Sequence, residues 1–209
     1  MNITIIGAGN VGRTLGSRFL EAGHSVTFGL LDPGAERAES SGTPAGSRVL
    51  DIHSAAMSAG IVLLTVPAMA LEDAILAAGD LTGKIVVDCT NAVGSTFRPT
   101  TESGTTIAET VAALLPGAYL VKAFNSVGWQ VMENPAFGDR RAVLPICGDD
   151  AGAKATVREL AASIGFDPID VGPLEAAPLV EAFAAMWIGL AHRLGKGSRF
   201  AFGLLERSS

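Results

Sequence analysis

The stretch Asn2-Ile3-Thr4-Ile5-Ile6-Gly7-Ala8-Gly9-Asn10-Val11-Gly12 decides the fold. Residues 3–6 are a run of β-branched side chains that reads as a strand, and residues 11–22 read as a helix. Between them stands G-x-G-x-x-G, and in that setting each glycine has a task. Gly7 permits the tight turn, Gly9 lets the backbone approach a pyrophosphate, and Gly12 lets helix and strand pack closely. An anion would rest at the helix N-terminus, where free N–H groups and the helix dipole stabilise it. Gly7, Ala8, Gly9, Asn10, Val11 and Gly12 are therefore the candidate dinucleotide loop. A glycine turn without a ligand is the bland alternative, and the strand–loop–helix context weighs against it.

Outward from this loop, short apolar runs at 25–28, 61–66, 84–89, 119–124, 143–147 and 168–171 read as further strands. Several are apolar at consecutive positions, the pattern of parallel strands covered on both faces. Helix candidates at 68–78, 106–114 and 151–164 alternate with them. Such alternation predicts an α/β fold, a Rossmann-like doubly wound parallel sheet with a short C-terminal helical segment. The dinucleotide-binding domain is expected over residues 1–172 and a helical appendage over 173–209. Residues 32–48 are rich in Pro, Gly, Ser and charge and read as a long exposed loop. Residues 174–194 read as one helix with an apolar stripe of Leu179, Phe183, Met186, Trp187 and Leu190. Residues 199–206 read as a last short helix.

Composition narrows the classes. The 209 residues are 48% hydrophobic and 17% charged, too apolar for a disordered chain. A net charge of −6 argues against a nucleic-acid partner. Two cysteines, Cys89 and Cys147, cannot make a disulfide scaffold, and the chain opens directly into a strand without a basic leader. The longest run without charge or His, 54–71, is broken by Gly60 and Pro67, so no membrane association is expected. The expected location is the cytoplasm.

Ligands of open α/β sheets bind at the carboxyl edge. Thr65, Val66 and Pro67 end one strand there, and Asn125 ends another, where its amide could orient a carboxamide or cap the next turn. The end of the second strand, Leu30-Leu31, supplies neither a carboxylate for a ribose 2′-OH nor an Arg for a 2′-phosphate. Asp32 stands at the nominal distance but begins an Asp-Pro-Gly turn, and Arg37 is the nearest guanidinium downstream. On the residues alone, NAD(H) and NADP(H) both stay open.

Gly-Ala-Gly-Asn-Val-Gly, Gly23-His24, Leu63-Leu64-Thr65-Val66-Pro67, Val121-Lys122-Ala123-Phe124-Asn125, Cys147-Gly148-Asp149-Asp150 and Asp170-Val171-Gly172-Pro173-Leu174 occur in this order. Together they resemble the coenzyme F420-dependent NADP oxidoreductase family and the related cytosolic domains of six-transmembrane metalloreductases. The resemblance implies a Rossmann domain that binds NADP(H), ahead of NAD(H), beside a second ring: F420, FMN or FAD. Two positions depart from the family pattern. Leu30-Leu31 stands where NADP-binding members carry Ser-Arg, and Asn125 stands where the F420 enzyme has His and the metalloreductase-like relatives have Asn.

The resemblance and the residues lead to an NAD(P)H-dependent oxidoreductase that passes hydride between nicotinamide and a flavin or deazaflavin of the F420 type. Such chemistry depends on alignment of two rings, so no catalytic acid or base is expected. A non-catalytic dinucleotide sensor, or a reductase of a small imine or hydroxyacid, are the alternatives. Lys122 reads as a structural ion-pair partner facing away from Asn125. His24, His53 and His192 lack triad or ligand spacing, and Cys89 and Cys147 read as inert core thiols, so no metal site is expected. The expected partners are a small-molecule electron acceptor and, through the apolar last helix, a second copy in a homodimer.

Overall fold

A computed structural model describes residues 1–33, 42–91 and 105–207. In chain order the first half holds β1 (Asn2–Ile6), α1 (Asn10–Glu21), β2 (Ser25–Leu30), β3 (Arg48–Asp51), α2 (Ile52–Met57), β4 (Ile61–Leu64), α3 (Leu71–Ala78) and β5 (Ile85–Asp88). The second half holds α4 (Ile107–Leu114), β6 (Tyr119–Lys122), α5 (Trp129–Glu133), β7 (Ala136–Phe137), β8 (Arg140–Arg141), β9 (Val143–Gly148), α6 (Ala151–Ser163), β10 (Asp167–Asp170) and α7 (Ala177–Ile188). Eight strands form one sheet in the order β10-β9-β6-β5-β4-β1-β2-β3, while β7 and β8 pair as a separate hairpin.

From β6 to β3 the sheet is wholly parallel, and both of its faces are covered. Along β1, Ile3 and Ile5 face a cluster with Leu15 and Phe19 of α1 and Val157 and Leu160 of α6. Ile6 faces the other cluster, with Ile52, Leu71 and Ile107 from α2, α3 and α4. This alternation along a strand apolar on both faces is what the run Ile3–Ile6 demanded.

The sheet is not parallel throughout. β9 runs antiparallel to β6, and β10 then pairs parallel to β9. A parallel return needs a full crossover, usually a helix. Between β6 and β9 the chain offers only the five-residue α5 and the β7–β8 hairpin. The edge strand β3, which starts at the last residue of the expected loop, went unforeseen. Arg48-Val49-Leu50-Asp51 is only four residues with charged ends, and an edge strand needs no continuous apolar run.

The C-terminal region also differs from expectation. Leu174–Arg193 is long and apolar enough to cross a membrane by length and composition alone. It is not one uniform helix, because a 3₁₀ turn (Leu174–Ala176) precedes α7 and a π turn (Gly189–Arg193) follows it. The face of α7 against the protein is Ala177, Val180, Glu181, Ala184, Ala185 and Trp187. Of the expected stripe only Trp187 is buried, while Leu179 is 70% exposed and Met186 49%. Small alanines allow close approach to the sheet, and Lys122 draws Glu181 inward, which rotates the helix away from its largest side chains.

The expected helix at 199–206 is not formed. That segment is irregular, its Phe202 carbonyl accepts from the Val143 N–H at 2.9 Å, and Trp187 Nε1 donates to the Phe200 carbonyl at 2.8 Å. Phe200 stacks on Trp187 and Phe202 meets Phe183, so alternate residues dock on α7, a period of two that a helix cannot supply.

Candidate functional site

The glycine loop closes on itself at the carboxyl end of β1. Gly7 has φ +103°, a region costly for other residues, and its N–H donates to the Gly29 carbonyl at 3.2 Å. A Cβ on Gly12 would stand 2.2 Å from the Gly7 carbonyl oxygen and 2.7 Å from Thr65 Oγ1, so this glycine is required by packing. Gly9 is different. It is the N-cap of α1 with ordinary extended dihedrals, and a Cβ there would meet nothing within 4 Å. The folded protein does not need a glycine at position 9.

Thr65 supports the loop instead of opening toward solvent: its hydroxyl reaches the carbonyls of Ile6 and Gly7, each at 3.0 Å. Val66 packs against Gly7, and Pro67 begins the 3₁₀ turn Ala68–Ala70. Beside the loop lies a cavity of about 560 Å³, lined among others by Gly7, Ala8, Arg13, Leu30, Leu31 and Val66. Leu30 is buried, whereas Leu31 is 81% exposed, so the end of β2 presents hydrocarbon to this space. Asp32 and Asp73 line it as well. Arg37 lies outside the described residues.

At the end of β6 the chain turns abruptly. Phe124 has φ +60°, a left-handed conformation that costs a bulky residue about 1–2 kcal/mol. Its ring is held edge-on between Phe19 and Phe166, which fixes the kink. Asn125 follows, 4% exposed, and forms a reciprocal pair with Asn91: Asn125 Nδ2 donates to Asn91 Oδ1 at 3.0 Å, and Asn91 Nδ2 to the Asn125 carbonyl at 2.7 Å. The side chain therefore does not cap the following turn. Among the described residues, Asn125 Oδ1 and the neighbouring Ser126 Oγ are buried with no hydrogen-bond partner. A buried amide oxygen without a donor costs about 1–3 kcal/mol, a deficit that a ligand N–H would relieve.

Behind this pair lies a buried charge cluster, of which the sequence reading anticipated only Lys122. Lys122 Nζ donates to Asp88 Oδ2 at 2.8 Å and to the Thr90 carbonyl at 2.6 Å, and lies 3.3 Å from Glu181 Oε1. Asp88 Oδ1 accepts from the Thr90 N–H and hydroxyl, which positions Asn91 next in the chain. Glu181 also accepts from the Ile107 and Ala108 N–H groups, so the positive end of α4 has an internal anion. Desolvation raises the Glu181 carboxyl above its ordinary value, against the pull of Lys122 and these N–H groups. A carboxylate in the middle of an apolar helix was the signal for it. Arg13 was also missed, because position is all that distinguishes it from a solvated surface arginine.

His24 and His53 are engaged structurally. His24 lies between the N-terminal amine and Ser163 Oγ, at 3.0 and 3.1 Å, and His53 Nδ1 is 3.2 Å from the Ala78 carbonyl. Burial pushes the Cys147 thiol up to about 12 and raises Cys89 as well, so neither is a nucleophile at neutral pH.

Three comparisons bear on this geometry. The sequence pattern of the family described as NADP oxidoreductase, coenzyme F420-dependent, matches residues 2–92. A protein of Arthrobacter sp. FB24, provisionally assigned as an F420-dependent NADP reductase, is 30% identical with a TM-score of 0.83, over 98% of this chain and 99% of that one. Rat (Rattus norvegicus) metalloreductase STEAP3 is 33% identical over 181 residues, which is 86% of this chain and 36% of that protein. The chain thus spans about a third of the length of the curated relatives it matches. A reductive aminase of Aspergillus terreus shares the fold alone, with 20% identity and a TM-score of 0.67 over 94% of this chain and 62% of that one. The glycine loop, the mostly parallel sheet and the end-to-end likeness agree, and the chain belongs to the coenzyme F420-dependent NADP oxidoreductase family.

Proposed function

We propose that this chain binds NADP(H) across the carboxyl edge of its sheet and passes hydride between nicotinamide and a flavin or deazaflavin ring of the F420 type. Gly9 carries the reading. Among the described residues nothing fills the space a side chain would occupy there, and the position stands at the start of α1, which suits a ligand pyrophosphate. Gly7, Ala8, Gly9, Asn10, Val11 and Gly12 would hold the pyrophosphate through backbone N–H groups. Leu30, Leu31 and Val66 would contact the adenosine half, with Thr65 and Pro67 shaping the loop from behind. The unpartnered Asn125 Oδ1 fits an amide N–H, such as that of the nicotinamide carboxamide.

Bound nicotinamide would supply the hydride, and the residues would supply alignment. Asn125, held by Asn91 and by the kink at Phe124, would orient one ring. Hydride alone leaves the reduced ring anionic, and the one proton that neutralises it would come from solvent, with no residue of the chain assigned to carry it.

The test mixes the purified protein with NADPH and, separately, FMN, FAD or F420, and follows the cofactor absorbance. Turnover with F420 alone identifies a deazaflavin reductase, and turnover with FMN or FAD identifies a flavin-using enzyme. Nucleotide binding without turnover with any acceptor would replace this reading with that of a dinucleotide sensor.

A further inference from the structure

We propose that Asn91 decides which end of the Asn125 amide meets the nicotinamide, so that the site takes a carboxamide and rejects the carboxylate of a nicotinic acid dinucleotide. This role rests on the dinucleotide reading above and adds to it a specificity for the ring substituent.

The two asparagines belong together by register. Asp88 of β5 pairs with Lys122 of β6, and Asn91 and Asn125 each stand three residues further on, at the carboxyl edge. In the sheet β5 and β6 are the second and third strands from β1, on the side away from β2. Strands lie about 4.8 Å apart, which puts the pair about 10–14 Å from the glycine loop. A dinucleotide that crosses the edge at this loop, with its adenosine over β2, brings its nicotinamide toward them.

An amide has a donor end and an acceptor end, and only a neighbour of fixed polarity settles which way it lies. Here that neighbour is the main-chain carbonyl of Asn125, which only accepts. Asn91 Nδ2 donates to it at 2.7 Å. Asn91 Oδ1 is thereby turned to the Asn125 side chain, where it accepts from Nδ2 at 3.0 Å. Reversing either amide would set oxygen against oxygen. Asn125 Oδ1 is left as the free end, buried and without a partner among the described residues. Asn91 is anchored in turn through the residue before it. Thr90 gives its N–H and hydroxyl to Asp88 Oδ1 at 2.9 and 2.6 Å, and its carbonyl accepts from Lys122 Nζ at 2.6 Å.

A buried amide oxygen of fixed orientation accepts and does nothing else. A carboxamide brings it an N–H, whereas a carboxylate has no donor and sets negative charge against its lone pairs. Sites built to receive a donor reject analogues that lack one, because the buried group then stays unpaired. Asn91 acts through Asn125 and is a positioning residue.

NADP⁺, nicotinic acid adenine dinucleotide phosphate and the ring-free 2′-phospho-ADP-ribose are titrated by calorimetry against the wild type, Asn91→Leu, Asn125→Leu and the double variant, with thermal midpoints recorded. The wild type should bind NADP⁺ at least about tenfold more tightly than the nicotinic acid analogue. In Asn91→Leu the ratio should fall to within about threefold of one, and the double variant should show no further fall beyond Asn125→Leu. Asn91→Ser, whose hydroxyl is too short to meet both partners, should give the same fall and serves if Asn91→Leu does not fold. A purely structural role would weaken all three ligands together and leave the ratio as it was, which would overturn the assignment. A wild type that binds 2′-phospho-ADP-ribose but shows a ratio near one would overturn it too, with the dinucleotide reading intact. Binding of none of the three ligands would overturn the dinucleotide reading itself, and this role with it.

Discussion

The carboxylate of Glu181 meets Lys122 Nζ at 3.3 Å, with both side chains sealed from solvent. The contact ties α7 to the sheet, and the chain of bonds from Lys122 through Asp88 and Thr90 to Asn91 ends on Asn125. The helix nearest the C-terminus and the candidate site are thus parts of one polar network. Removing its cation should be costly. Lys122→Met leaves two carboxylates buried without their partner, and we expect it to destabilise the fold by about 3–5 kcal/mol in urea denaturation. A loss under about 1 kcal/mol would mean that water or a rearrangement replaces the ammonium.

The same network predicts a pH dependence. The Glu181 carboxyl is raised in the folded state, chiefly by desolvation. A raised folded value means that its contribution to stability is complete below the ordinary carboxylate range and is lost as pH rises through the folded value. Glu181→Gln keeps a carbonyl oxygen for the α4 N–H groups and removes the titration. The stability of the wild type relative to Glu181→Gln should therefore fall as pH rises through and above the ordinary carboxylate range. A difference that stays level over that range would show that Glu181 is not raised.

The two inner glycines of the loop should separate packing from binding. Gly12→Ala drives a methyl into the Gly7 carbonyl and Thr65 and should cost about 1–3 kcal/mol of stability. Gly9→Ala meets no atom of the described residues, so its stability should change by less than about 1 kcal/mol. It should nevertheless weaken NADPH binding about tenfold or more, because the methyl points where the pyrophosphate is proposed to lie. Unchanged binding by Gly9→Ala would place the nucleotide elsewhere.

Asn125 offers a test confined to one end of the nucleotide. Asn125→Ala removes the unpartnered amide oxygen and should weaken NADPH by about 0.5–1.5 kcal/mol. Binding of 2′-phospho-ADP-ribose, which lacks the nicotinamide, should stay the same. Equal weakening of both ligands in calorimetry would show that Asn125 supports the fold of the edge and not the carboxamide.

What the sequence alone determined is local. Gly7, Gly9 and Gly12 announce themselves because φ, backbone clearance and a helix start are written within six residues. The run Ile3–Ile6 declares a two-faced strand because side-chain alternation has a period of two. Tertiary structure decided the rest, where the physics is nonlocal. Nothing near Glu181 in sequence says that a lysine on β6 and the N-terminus of α4 will meet it, and without those partners the exposed stripe of Leu179 and Met186 looks like the buried one. The reversal of β9 depends on how little helix separates it from β6. Arg13 lines the cavity at the end of β2 because α1 packs beside that strand, a meeting of helix side chain and strand end that no local pattern announces.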